Sequence, residues 1–155
     1  MTAEGYRVRD LTEDDLDEIA TWTYDGPWSV YDSDGRLDPT LGYWAVVGAA
    51  DERLAGFGCL GEDARVRGLP EVEDVEDIGV GMRPDLVGRG TGAAFATAFL
   101  EFAATRTAAL RFRVVVKDWN ARSLRLVERL GFVRMGTHPV GDETYVVLER
   151  SVRPG

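Results

Sequence analysis

Among 155 residues the chain has one cysteine, Cys59, and one histidine, His138. A single thiol excludes an internal disulfide and any thiolate-rich metal site. His138, followed by Pro139, has no cysteine or clustered acid at ligand spacing, so it reads as a surface residue at a strand end, and no metal is expected. Cys59, within Gly56-Phe57-Gly58-Cys59-Leu60, reads as a buried core thiol. No apolar run approaches the roughly 20 residues that span a bilayer. Met1-Thr2-Ala3-Glu4 has neither the basic start nor the apolar stretch of a signal peptide. These absences predict a cytoplasmic protein with no membrane partner. Basic charge is also short: 18 Lys and Arg stand against 27 Asp and Glu, a net charge of −9. Nucleic-acid binding usually shows as a basic face, so none is expected. An acidic surface, densest between Glu62 and Asp77, instead favours the approach of cationic partners.

What is present is the composition of a soluble globular chain, 45% apolar and 29% charged. The length suits one domain, taken here as residues 1–155. Tyr6 to Arg9 reads as a strand. Thr12 reads as a helix N-cap with Glu13, Asp14 and Asp15 in the first turn, and that helix runs towards Trp22. Residues 24–40 form an aromatic-rich loop. Gly42 to Ala49 and Leu54 to Leu60 read as a hairpin, and 61–74 as a polar surface loop. Val75 to Met82 is a strand carrying Gly79 and Gly81, positions that suit a bulge or a ligand lying against the backbone. Phe95, Phe99 and Phe102 recur at helical spacing over 91–105. Leu110 to Val116 is a β-branched strand, and Asn120 to Leu130 a helix ended by Gly131 as a left-handed cap. Phe132 to Gly136 and Thr144 to Glu149 close the chain as strands. The pattern is a mixed α/β domain with antiparallel pairs first and a strand–helix–strand crossover later.

Gly88-Arg89-Gly90-Thr91-Gly92 joins the strand at 75–82 to the helix at 91–105. Three glycines at a strand-to-helix junction leave a row of uncovered backbone N–H groups at the positive end of a helix, which suits a phosphate or pyrophosphate. Arg89 adds a cation. A nucleotide P-loop needs Lys-Ser or Lys-Thr after the last glycine, and here Ala93-Ala94 follow. Gly88-x-Gly90-x-x-Ala93 meets the minimal dinucleotide fingerprint, but it lies past the midpoint of the chain. No acid follows about 20 residues on, where Ala109, Leu110 and Arg111 stand. A glycine-rich turn that merely permits tight packing is the bland alternative.

A second motif decides between them. Arg83-Pro84, the glycine loop and the run from Asn120 to Gly131-Phe132 together resemble the GNAT superfamily of acyl-CoA-dependent N-acetyltransferases. The strong part of the resemblance covers about 77–132. It implies one GNAT-like domain with a central, mostly antiparallel sheet, in which the strands at 75–82 and 110–116 splay apart, flanked by helices. It also implies acetyl-CoA as co-substrate and acetyl transfer to a primary amine of a small molecule or peptide, by direct attack in a ternary complex. The pyrophosphate would lie on the amides of Gly88, Arg89, Gly90, Thr91, Gly92 and Ala93. Pantetheine would pair with the backbone of Val80 and Met82 next to Arg83, with Gly79 or Gly81 allowing a bulge. Asn120 sits where the family places an Asn near the cofactor arm, though a helix N-cap explains it equally well.

Two positions depart from the family pattern. Val87 replaces a Gln or Arg at the mouth of the loop, removing a side-chain donor while leaving the amides. Val127 replaces a Tyr often assigned as the acid that protonates the departing thiolate. Tyr31, Tyr145 or water would then supply the proton, and a non-catalytic acyl-CoA-binding or sensing module is the alternative function. For the general base, Asp77 at the start of the pantetheine-facing strand is the first candidate, ahead of Glu76 and Asp74. Tyr24, Trp28 and Tyr31, with Asp25, Asp32 and Asp34 nearby, suit the binding of a cationic amine by cation–π contact and charge. A monomer or homodimer is expected.

Overall fold

The computed structural model describes residues 5–24, 26 and 37–153. Along the chain run β1 (Tyr6–Arg9), α1 (Glu13–Ile19), β2 (Tyr43–Gly48), β3 (Leu54–Leu60), β4 (Val75–Met82), α2 (Gly92–Ala104), β5 (Arg111–Lys117), α3 (Ala121–Arg129), β6 (Val133–Val140) and β7 (Glu143–Ser151). The seven strands hydrogen-bond in the order β1-β2-β3-β4-β5-β7-β6. The mixed α/β class follows, with the parallel pair β4/β5 joined through α2. Two compact units divide the chain, residues 1–58 with 80–99 and residues 59–79 with 100–155.

In the first unit, β1 pairs antiparallel with β2 from Tyr6↔Gly48 to Arg9↔Ala45. Helix α1 starts where the sequence placed it. The Thr12 hydroxyl accepts from Asp15 N at 3.1 Å, and Thr12 N donates to the Asp15 carboxylate at 2.8 Å, a reciprocal capping box. The helix ends at Ile19, short of Trp22, which is itself buried. Ile19, Trp22, Ala45, Val47 and Leu54 form the core of this unit, with Leu11, Leu37 and Phe57 packed against it. Phe95 and Phe99 of α2 are buried, and Tyr6 meets the Phe95 ring edge-on with centroids 5.9 Å apart. A Cβ on Gly58 would run into the Phe99 ring, so this glycine in β3 makes room for an aromatic side chain.

In the second unit, β4 and β5 pair in parallel over Val75↔Arg111, Glu76↔Phe112 and Asp77↔Arg113. Strand β5 pairs antiparallel with β7 along its whole length, from Arg111↔Ser151 to Lys117↔Tyr145. Helix α3 buries Leu124 and exposes Arg122 and Arg125. Its exit explains the Gly-Phe pair of the motif. Gly131 stands at φ 96°, its N–H donates to Glu128 O at 3.1 Å, and Phe132 N donates to Val127 O at 3.0 Å. That is the two-bond Schellman arrangement, in which glycine takes the left-handed residue.

The closing strands are longer than the sequence suggested. Strand β6 continues through His138 and Pro139 to Val140, with an irregularity between Arg134 and Gly136. Pro139 has no N–H to give a ladder, but β6 is the terminal strand in the order, and proline is tolerated at a sheet edge. His138 therefore lies within a strand, and its Nε2 is 3.0 Å from Arg67 O. Cys59 is buried, as expected of a core thiol. No helix among the described residues is long and apolar enough to cross a membrane.

Candidate active site

The glycine loop is built to turn and to leave amides uncovered. After β4, residues Pro84–Leu86 form a 3-10 turn, and Gly88 and Gly90 then take φ of 80° and 83°. Side chains rarely adopt that region, which accounts for glycine at both places. Nothing lies within 4 Å of where a Gly90 Cβ would stand, so the space in front of this peptide is open. Gly88, Arg89 and Gly90 are exposed.

At the N-terminus of α2 the usual cap is missing. In α3, Asn120 is buried and its Oδ1 accepts from Ser123 N at 3.1 Å, as Thr12 does in α1. Thr91 opens α2, its carbonyl accepting from Phe95 N at 3.1 Å, yet its Oγ1 is buried without a hydrogen-bond partner. An orphaned buried hydroxyl costs on the order of 1–3 kcal/mol. Beside two left-handed glycines and an open space, it fits a site shaped for an anion with several acceptor oxygens.

Arg83, expected at the cofactor, is committed elsewhere. Its N–H donates to Ala55 O at 2.7 Å, and its guanidinium donates to Leu54 O and to the Asp85 carboxylate, both at 2.6 Å. The residue ties the end of β4 to β3. On β4, Val80 is exposed, while the Met82 carbonyl accepts the Tyr24 hydroxyl at 2.8 Å. Tyr24, expected to bind substrate, thus reaches the end of β4 directly. Trp28 and Tyr31, as well as Asp25, Asp32 and Asp34, lie outside the described residues. Gly81 answers to packing: a Cβ there would meet the Phe57 ring.

Asp77, the first candidate base, is one of the most deeply buried side chains. Its Oδ1 accepts from Arg113 Nε at 2.6 Å, and its Oδ2 from Arg113 Nη2 at 3.1 Å and Arg65 Nη1 at 3.0 Å. Both oxygens are engaged by guanidinium groups, which is the geometry of a counter-ion. Of the runners-up, Glu76 accepts from the Thr107 hydroxyl at 2.9 Å through one carboxylate oxygen, and Asp74 stands at φ 65° in a turn whose backbone carbonyl accepts from Leu110 N at 2.8 Å.

Sequence reading missed Arg113, Arg65 and, at the end of β5, the side chains gathered around Tyr145. There Lys117 Nζ donates to the Tyr145 hydroxyl at 2.9 Å and lies 3.3 Å from Glu143 Oε1, which also accepts from Trp119 Nε1 at 3.3 Å. Burial opposes the lysine charge, but the bonds to Tyr145 and Glu143 outweigh it and hold Lys117 above the ordinary lysine value. The signal for both clusters was the charge pattern Arg111, Arg113, Lys117 within an otherwise β-branched strand. A cation on a buried central strand needs a partner. Among the described residues, no group of three or more His, Cys, Asp or Glu could hold a metal ion.

The sequence model described as "Acetyltransferase (GNAT) family" matches residues 6–132. No curated protein matches the chain in sequence. Among the solved structures that share the fold are three acetyltransferases. An acetyltransferase (GNAT family) from Bacillus anthracis superposes with a TM-score of 0.74 at 17% identity, covering 97% of this chain and 96% of the other. The aminoglycoside acetyltransferase AAC(6')-Ib in complex with coenzyme A gives 0.71 at 17% identity, covering 94% of each. A chimera of the spermidine N-acetyltransferase SpeG from Vibrio cholerae and hSSAT gives 0.70 at 14% identity, covering 96% of each.

Proposed function

The chain belongs to the acetyltransferase (GNAT) family, and from that premise we propose that it transfers an acetyl group from acetyl-CoA to a primary amine of a small molecule or peptide. The observation that carries this reading is the uncapped start of α2. Gly88 and Gly90 in left-handed conformation and the orphaned Thr91 hydroxyl fit a pyrophosphate, which would satisfy Thr91 Oγ1 and the amides of Gly88 to Ala93. Arg89 would add charge from the exposed rim. The backbone of Val80 and Met82 would meet the pantetheine arm, with Tyr24 holding the Met82 carbonyl in place. Asn120 retains its cap, and any contact with the cofactor would come from its NH₂ side.

The transfer needs an amine lone pair, an oriented thioester and a leaving thiolate. Attack forms the C–N bond, the C–S bond breaks, and the surplus amine proton passes to water. A thiol of pKa near ~8.5 leaves tolerably as thiolate, so Val127 at the usual acid position does not block turnover. Tyr145 is one candidate for an acid, a phenol whose oxygen accepts from Lys117 at 2.9 Å. Tyr31 stays a second candidate for that acid. Spermidine and aminoglycoside acetyltransferases share the fold, and with the net charge of −9 they favour a cationic acceptor such as a polyamine or amino sugar. A cytoplasmic monomer or homodimer is the setting that fits.

Val127 also supports a second reading, an acyl-CoA-binding module without turnover. Thermal shift and thiol release with acetyl-CoA against a panel of amines separate the two. Transferase activity predicts a raised Tm and amine-dependent thiol release. A raised Tm without thiol release on any amine indicates the module, and no stabilisation by any acyl-CoA overturns both.

A further inference from the structure

We propose that Arg113 is a positioning residue for acetyl transfer, and that Asp77 is its counter-ion and not the proton acceptor. This rests on the acetyltransferase reading above. The Asp77↔Arg113 rung ends the register between β4 and β5. Past it, β5 remains paired with β7 through Lys117, while β4 runs on to Met82. Val80 and Met82, whose backbone is proposed above to meet the pantetheine arm, follow on the same strand. The side chains at the rung close it tightly. Arg113 grips both Asp77 oxygens, its Nη2 also donates to Pro70 O at 2.7 Å, and Arg65 closes the second oxygen of the carboxylate. The side chains of Asp77 and Arg113 are 3% and 5% exposed. One guanidinium therefore joins β5, β4 and the loop before β4 at the point where the ladder ends.

The same geometry removes Asp77 from proton transfer. A general base needs an oxygen lone pair within about 2.6–3.2 Å of the amine or of one bridging water. Both oxygens here already accept charge-assisted bonds, and solvent reaches almost none of either. As a strut, by contrast, the pair sets the start of the β4 segment that carries Val80 and Met82, and a misplacement of about 1 Å in such a segment can cost on the order of 100-fold in rate.

The test is a double-mutant cycle on the full chain. Asp77→Leu and Arg113→Met each leave a buried charge unpaired, and each should lower kcat/KM on the order of 10- to 100-fold. The double variant D77L/R113M removes both charges with apolar groups of similar size, an exchange that buried ion pairs often tolerate. It should return turnover to within about tenfold of wild type. A true base cannot be restored this way. A double variant that regains wild-type stability in urea yet stays as slow as D77L overturns the proposal. Asp77→Asn gives an independent readout: the acidic limb of the kcat/KM pH profile should persist, and its disappearance would restore Asp77 as base. Wild-type protein without turnover on any amine would be a failure of the acetyltransferase reading, while the urea cycle still reports whether the pair acts as a unit.

Discussion

Gly90→Ala tests the glycine loop on two independent scales. Gly90 stands at φ 83°, and no atom lies within 4 Å of its Cβ position. The cost to folding is then conformational, roughly 1–2 kcal/mol for an L-residue in the left-handed region. Reduced freedom of the unfolded chain returns about 0.4–1 kcal/mol. The net loss is about 1 kcal/mol, which lowers Tm by about 2–4 °C in a chain of this size. Ligand binding carries the second scale. Acetyl-CoA at about 100 times its Kd should raise stability by about 2.7 kcal/mol in the wild type. A methyl group in the open space before the amides should weaken binding at least about tenfold, leaving about 1.4 kcal/mol at the same concentration. Differential scanning fluorimetry with and without acetyl-CoA reads both effects. Acetyl-pantetheine, which lacks the pyrophosphate, should stabilise wild type and variant equally. An undiminished acetyl-CoA shift in Gly90→Ala would refute the assignment of the loop to the pyrophosphate.

Two further outcomes follow from the packing and the charges. Gly81→Ala places a Cβ against the Phe57 ring, which itself stacks on Trp22, so overpacking should cost about 1–3 kcal/mol in urea denaturation. A loss under half of that would show that Phe57 moves aside freely. At α1, burial pushes the Asp15 carboxyl up, but bonds from the Arg9 guanidinium and from Thr12 outweigh it, and its pKa is lowered from the ordinary value. A lowered folded value means the contribution is complete above the unfolded value near pH 4 and is lost as pH falls through the folded one. Asp15→Asn should therefore be less stable than wild type at pH 5–7, with the gap closing below about pH 4. A gap that stays constant to pH 2 would remove the charge from the explanation.

Much of the fold was legible because its signals are local. Thr12 with three acids, Gly131-Phe132 after a helix, and the β-branched run at 110–116 each encode their geometry within a few residues, and each appears within a residue of where it was expected. The glycine loop is local in the same sense, since left-handed residues on either side of Arg89 demand glycine. Boundaries that depend on neighbours were less legible. Strand β6 passes through Pro139 because it is an edge strand, and edge position is a property of the sheet.

The site divides along the same line. By itself the sequence determined the left-handed glycine turn before α2, the family motifs and the valine at position 127, because backbone conformation and residue identity are written along the chain. Only the tertiary structure decided what the charged side chains do. Asp77 and Arg113 lie 36 residues apart and meet across a parallel rung. Arg83 turns back to β3. Tyr24 reaches the Met82 carbonyl from 58 residues away. Whether a carboxylate is a base or a counter-ion depends on what stands beside it in space, and spacing along the chain carries no record of that.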